Sequence, residues 1–226
     1  GGGSVAIHVS KLYPHLKITV NDLYEPLINF WMNLQMFGDE LSTNLKNLKI
    51  AHPNQDSARC LFAEMKDVIN DSTQSNLDRA VAFYVVNKCS FSGLTESSSF
   101  SAQASDSNFS MRGIEKLVGY QEIISNWHIN SYSYEYCFRT DVHDGLFMYL
   151  DPPYDIKDNL YGKKGSMHKS FDHDKFAADC DEHNNINMLI SYNSDQLVKD
   201  RFKNWSASEF KLTYTMRSVG EYMRDQ

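Results

Sequence analysis

Apolar positions in the first part of the chain follow two different spacings. Ile18 and Val20 alternate with polar neighbours, which predicts a short strand over residues 17–21. The strand ends at Asn21-Asp22, an acidic strand-to-helix boundary. After Pro26, apolar residues recur at helical spacing and predict one core-facing stripe, formed by Leu27, Phe30, Trp31 and Leu34.

The middle of the chain has a different pattern. Residues 39–87 keep helical periodicity, with breaks near 51–54 and 71–73, and contain no convincing strand. They predict an inserted helical region. Residues 92–110 are rich in serine and poor in aliphatic side chains, which predicts a long exposed loop or mobile hairpin that either binds a ligand or is disordered.

Helices and strands alternate beyond this region. A helix is predicted over residues 114–124, and strands at residues 127–130, 146–150 and 187–191. The predicted N-caps of the helices before and after the last strand are Asp172 and Ser194. This order predicts an α/β fold with a mostly parallel, doubly wound sheet, which binds ligands beyond the carboxyl ends of its strands.

Composition restricts the class of protein. The 226 residues carry a formal net charge of −7, which excludes a generally basic surface. The cysteines are widely spaced and predict neither a disulfide framework nor a zinc ribbon; they are Cys60, Cys89, Cys137 and Cys180. The apolar runs are too short to span a bilayer, so we expect a soluble, cytoplasmic protein in a reducing compartment.

The most specific motif is Asp151-Pro152-Pro153-Tyr154, directly after a predicted buried strand. Two consecutive prolines fix φ and remove two backbone donors. The stiff turn that results presents the Asp151 carboxylate and the Pro152 carbonyl as hydrogen-bond acceptors. A simple structural turn with a half-buried tyrosine is the alternative. The place of the motif at the end of a strand favours a functional site.

The opening Gly1-Gly2-Gly3-Ser4 allows two interpretations. It is either a flexible linker or a glycine turn that leads into a helix, and the apolar residues that follow directly favour the turn. In that case, we expect a strand before the turn that this sequence lacks. Asp22 lies about 20 residues after the glycines, the spacing at which an acid meets a ribose in Rossmann-like sites. An aspartate at this position can also cap a helix.

These motifs resemble those of the S-adenosylmethionine-dependent DNA adenine-N6 methyltransferases of the Dam-like, D12 class. Besides the glycine turn and the tetrapeptide, the matching segments are Asn21-Asp22-Leu23, NKCSFSG at 87–93, residues 160–173 and the late MLISYNSDQLVKDRF. The resemblance spans nearly the whole chain and implies a Rossmann-like methyltransferase fold. It implies a catalytic, cofactor-binding domain at 1–40 and 127–226, with residues 41–126 as an inserted, mainly helical target-recognition region.

The resemblance also implies roles for individual residues. The implied contacts of S-adenosylmethionine are Gly1, Gly2, Gly3, Ser4, Asp22, Ser133, Tyr134 and Asp151. Relatives often carry an acid where Ser133 stands, which is a departure from the family pattern. The implied catalytic set is Asp151, Pro152, Pro153 and Tyr154. The Asp151 carboxylate and the Pro152 carbonyl would hold the amine of a flipped-out adenine, and Tyr154 would stack on the adenine ring.

No metal is implied, because a sulfonium donor is already activated for direct displacement. The residues Cys180, His183 and His168 lack the further ligands that would complete a tetrahedral site. An acidic chain needs local positive charge to bind phosphates. The candidates are Lys157, Lys163, Lys164 and Lys169 after the tetrapeptide and Arg112 and Lys116 after the serine-rich segment. Solvated lysines without a partner are the alternative.

Double-stranded DNA is the implied partner of this chain. A cognate restriction endonuclease is a second candidate partner, and a monomer or weak dimer is the expected assembly. Enzymes that modify ribosomal RNA bases also carry Asp-Pro-Pro-Tyr, so RNA is the alternative substrate. A DNA-binding module that has lost methyl transfer is the third hypothesis, and the intact Asp151 and Tyr154 argue against it.

Overall fold

The computed structural model describes residues 2–93, 95, 98–139, 143, 145–154 and 171–210. Its α-helices, α1 to α8 in chain order, are Ser4–Leu12, Glu25–Ala51, Gln55–Val68, Asn76–Cys89, Ala102–Ser107, Met111–Ile123, His173–Glu182 and Gln196–Arg201. The strands β1 to β4 are Thr19–Asn21, His128–Asn130, Phe147–Leu150 and Asn187–Ile190. Within these residues, no helix is long and apolar enough to cross a membrane.

Each of the four predicted strands is present, although slightly shorter than predicted. β1 pairs in parallel with β2, with Val20 opposite Ile129. β3 pairs in parallel with β4, with Leu150 opposite Ile190. The parallel pairing predicted from the alternation of elements is therefore confirmed for both pairs. Each sheet has two strands within the described residues, so the larger doubly wound sheet stays a prediction.

The larger hydrophobic core lies among α2, α3, α4 and α6. Residues 80–86 of α4 are all buried, because this helix is covered by α2, α3 and the short α5. The stripe predicted on α2 is confirmed: its aromatic residues and Leu34 are buried, and Leu27 packs against them. α2 is kinked at Phe37 but continues across residues 40–41, so the boundary proposed there falls inside one helix.

A second, smaller core lies between α7 and the β3–β4 pair. Phe138, Phe176, Cys180 and Ile186 are buried, and one face of each strand packs against them. The predicted cap of α7 is confirmed, since the Asp172 carboxylate accepts the Lys175 amide at 2.9 Å. This core fixes α7 and the two strands as one unit, with both strands ending on the same side.

Two local predictions need correction. The antiparallel bridge between Ser90 and Phe100 agrees with the hairpin predicted for the serine-rich segment 92–110, but the prediction of a long exposed loop is wrong, because helix α5 lies in the second half of the segment. Its phenylalanines explain the order, because Phe109 is fully buried and Phe100 packs against the larger core. The last helix is capped by Asp195, whose carboxylate accepts the Val198 amide at 2.9 Å, and not by Ser194.

Candidate active site

The predicted site residue Asp151 lies at the carboxyl end of the β3–β4 pair. Asp151 directly follows β3, and Ser191 directly follows β4 in the adjacent strand. The ladder continues past both strands, because the Ser191 amide donates to the Leu150 carbonyl at 3.0 Å. Asp151 is exposed, whereas Pro152 is buried, so the turn is anchored while its carboxylate faces outward.

The Asp151 carboxylate takes part in a chain of hydrogen bonds. The Ser191 hydroxyl donates to Asp151 Oδ1 at 2.6 Å. The Tyr149 hydroxyl in turn donates to Ser191 Oγ at 3.1 Å. These three residues share one face of the β3–β4 pair, as their spacing along the strands requires. Ser191 was not among the predicted site residues.

Two aromatic residues follow the ends of the strands: Tyr154 ends the tetrapeptide after β3, and Tyr192 comes directly after Ser191. The rings of Tyr154 and Tyr192 lie 6.5 Å apart at an interplanar angle of 23°. The Tyr192 hydroxyl is hydrogen-bonded to His173 Nδ1 at the start of α7. The second core thus holds Tyr192 in place, and Tyr192 provides a surface parallel to the ring of Tyr154.

Asp22 lies at the carboxyl end of β1 and is electrostatically coupled to Asp151. Its amide donates to the Asn130 carbonyl at 3.3 Å, and its Oδ1 accepts the Tyr24 amide at 2.8 Å. Burial is the main effect on Asp22 and raises its pKa; the Tyr24 amide lowers the pKa, and the Asp151 charge adds a smaller increase. The charge of Asp151 therefore acts on Asp22, although the two residues are far apart in sequence.

The glycine turn precedes α1 and packs on the larger core. Gly2 and Gly3 have positive φ values of 65° and 84°, and Gly3 is the N-cap of α1. A Cβ built on Gly3 would lie 2.8 Å from the Trp31 ring. The glycine turn is thus confirmed at Gly2, Gly3 and the helix start at Ser4. Gly1 lies outside the described residues.

The two predicted cofactor residues after β2 are in different environments. Ser133 is exposed. The side chain of Tyr134 packs in the second core against Phe138 and Phe176, and its hydroxyl donates to Asp179 at 2.6 Å. Burial and the Asp179 carboxylate both raise the pKa of Tyr134. These contacts tie the Tyr134 side chain to α7, and its role toward a cofactor stays a prediction.

We expect Tyr134→Phe to lower the free energy of unfolding by about 1 kcal/mol, because it removes one hydrogen bond to a carboxylate. Cofactor affinity should stay close to wild type if the side chain serves packing alone. Thermal unfolding and cofactor titration check this, with Tyr136→Phe as the control because Tyr136 is 48% exposed. A weaker cofactor complex with unchanged stability would instead support direct contact.

The six predicted DNA-binding residues fall into two groups along the sequence, and the structure describes only one group, Arg112 and Lys116. Arg112 and Lys116 are exposed and lie one turn apart on α6, which packs against α2. The four lysines after the tetrapeptide lie outside the described residues: Lys157, Lys163, Lys164 and Lys169. Among the residues that are described, no group of three His, Cys, Asp or Glu side chains could hold a metal ion.

Sequence reasoning missed Ser191, although a signal for it exists. Ser191 follows β4 at the position that Asp151 occupies after β3, and in a parallel pair such positions are neighbours. Tyr149 lies two residues before Asp151 and therefore on the same face of the strand. Both residues can be identified once the register of β3 and β4 is known. A single sequence does not specify that register.

Comparison with known proteins adds evidence that is independent of this geometry. The sequence model of the D12 class N6 adenine-specific DNA methyltransferases matches residues 1–216 of the 226-residue chain. No individual curated protein matches the chain significantly. The family match includes the glycine turn, Asp22 and the Asp151–Tyr154 tetrapeptide. The chain therefore belongs to the D12 class N6 adenine-specific DNA methyltransferase family.

Proposed function

We propose that this enzyme transfers a methyl group from S-adenosylmethionine to N6 of a flipped-out adenine in double-stranded DNA, by direct displacement. The observation that carries the proposal is the position of Asp151, at the end of β3, on a turn fixed by two prolines and hydrogen-bonded to Ser191 after the neighbouring strand. Family membership supports the substrate class, and the local geometry supports the roles of the individual residues.

The residues present fit a methionine-derived nucleoside cofactor. Gly2 and Gly3 have positive φ values and form a tight turn at the start of α1, where backbone amides would meet the cofactor. Asp22 offers a carboxylate at the neighbouring strand end, where it would accept the ribose hydroxyls. When bound, S-adenosylmethionine supplies a methyl group on a positively charged sulfur. Gly1, Ser4, Ser133, Tyr134 and Asp151 complete the proposed cofactor set.

Asp151 and Pro152 would orient the adenine amine. The N6 lone pair is delocalised into the ring, so the amine is a weak nucleophile until its two N–H bonds are held. The Asp151 carboxylate and the Pro152 carbonyl are two acceptors on one rigid turn, with Pro153 fixing the next residue. Tyr154 would stack on the extruded ring, since base flipping requires a surface that replaces the lost stacking.

The two parallel pairs would belong to one Rossmann-like, doubly wound sheet. The coupling between Asp22 at the end of β1 and Asp151 at the end of β3 supports a common edge for both pairs. Residues 41–126 would form the target-recognition region. Because α2 spans the 40–41 boundary and shares one core with α3 and α4, this region would be rigidly attached to the catalytic part.

DNA would bind through local groups of positively charged side chains. The proposed phosphate contacts are Lys157, Lys163, Lys164, Lys169, Arg112 and Lys116. Since the chain is acidic overall, phosphate binding depends on such local groups, and affinity should fall steeply with salt. A restriction endonuclease partner and a monomeric or weakly dimeric state belong to the same proposal.

For Asp22, we expect opposite effects on binding and stability. Asp22→Asn should weaken S-adenosylmethionine binding about tenfold, because a charge-assisted hydrogen bond to the ribose is lost. Burial raises the pKa of Asp22, so the folded protein binds this proton more tightly than the unfolded chain does. The folded state therefore loses stability as pH rises from the pKa of Asp22 in the unfolded chain through its pKa in the folded protein. The neutral variant should therefore unfold at a higher temperature at neutral pH. Unchanged cofactor affinity would refute the ribose contact.

The substrate is tested by incubating the protein with methyl-labelled S-adenosylmethionine and either duplex DNA or ribosomal RNA. We expect label in DNA alone, and enzymatic digestion should yield N6-methyladenine. Label in RNA alone would overturn the choice of DNA. DNA binding without transfer to either nucleic acid would support an inactive binding module.

A further inference from the structure

We infer that Ser191 is a positioning residue for methyl transfer, which fixes the rotation of the Asp151 carboxylate through a hydrogen-bond chain that begins at Tyr149. The inference rests on the proposed function of Asp151. It assigns a role to a residue that follows β4, the strand next to β3, and that contacts the Asp151 carboxylate.

The geometry of the contact is specific. Ser191 Oγ donates to Asp151 Oδ1 at 2.6 Å, a distance typical of a strong hydroxyl-to-carboxylate hydrogen bond. Its backbone is held as well, because the Ser191 amide donates to Leu150 at 3.0 Å. The donor therefore comes from a position that the β3–β4 ladder fixes, and not from a flexible loop side chain.

Tyr149 gives the serine hydroxyl its direction. Its own hydroxyl donates to Ser191 Oγ at 3.1 Å, so a lone pair of the serine oxygen is occupied and its proton is directed toward Asp151. Tyr149 is 38% exposed, which leaves its ring at the surface while its hydroxyl reaches the neighbouring strand. An ordered carboxylate matters because a small misplacement of a catalytic group reduces the rate strongly.

The test is Ser191→Ala, compared with Ser191→Thr, Tyr149→Phe and wild type in methyl transfer to duplex DNA. We expect Ser191→Ala to lower kcat about 10- to 100-fold, since a hydrogen bond to a carboxylate is lost at the reacting centre. KM for DNA, cofactor affinity and the unfolding temperature should stay close to wild type. Threonine keeps the hydroxyl and should restore most of kcat. Tyr149→Phe should lower kcat about 2- to 5-fold.

The control is Ser206→Ala, which removes an exposed serine after α8 and outside the proposed target-recognition region. A kcat for Ser191→Ala equal to that of wild type would overturn the inference and leave the proposed function intact. Loss of cofactor binding or thermal stability together with kcat would also overturn it, because the serine would then be structural. Absence of transfer by the wild-type protein would overturn the proposed function and this inference with it.

Discussion

Asp151→Ala is expected to lower kcat for DNA methylation by about 100- to 1,000-fold. The substitution removes the acceptor that would hold one N6–H bond of the adenine, whereas the prolines keep the turn in place. Cofactor affinity should remain largely intact, because the glycine turn and Asp22 lie on other elements. Steady-state methyl transfer measures kcat, and a cofactor titration of the same preparation measures the affinity for S-adenosylmethionine.

The matched control for Asp151→Ala is Glu182→Ala, which removes an exposed carboxylate at the end of α7. It should leave kcat near the wild-type value. If Asp151→Ala also retained near-normal turnover, the orienting role of the carboxylate would be wrong. A parallel loss of cofactor binding would show that Asp151 acts mainly on the cofactor.

Gly3→Ala should impair both stability and cofactor binding. Its φ of 84° is a conformation that costs a non-glycine residue about 1 kcal/mol or more. The added Cβ would also lie 2.8 Å from the Trp31 ring, which is buried and packed against Trp127. We expect the free energy of unfolding to fall by about 2 kcal/mol, and S-adenosylmethionine affinity to fall as the turn shifts.

Gly119→Ala provides the control for Gly3→Ala. A Cβ on Gly119 has nothing within 4 Å, and the residue lies inside α6, where alanine is the better helix former. This variant should be as stable as wild type or slightly more stable, with normal cofactor affinity. A Gly3→Ala protein that matched it in both measurements would contradict the proposed close approach at the turn.

Strand and helix positions could be predicted where the apolar spacing was unambiguous. The Asp151 tetrapeptide was predictable as a site because two prolines after an apolar strand leave few conformations. The cap at Asp172 followed from residue chemistry alone. In each case the determining interactions are local in sequence, so a single chain is sufficient to identify them.

Features that depend on tertiary contacts were not predictable. Helix α5 lies in a serine-rich segment whose composition favours a loop. The burial of Phe109 in the larger core, just after this helix, overrides that preference. The contact between Ser191 and Asp151 depends on the β3–β4 register. The effect of the Asp151 charge on the pKa of Asp22 depends on how the two strand pairs are placed.

The sharpest test of the Asp151 site is a crystal structure of the protein with a non-reactive S-adenosylmethionine analogue and duplex DNA that carries an unmethylated target adenine. We expect the adenine outside the helix, with N6 within hydrogen-bond distance of both the Asp151 carboxylate and the Pro152 carbonyl, and with its ring against Tyr154. A target base that stays stacked in the duplex, or a crevice at Asp151 filled by side chains, would contradict it.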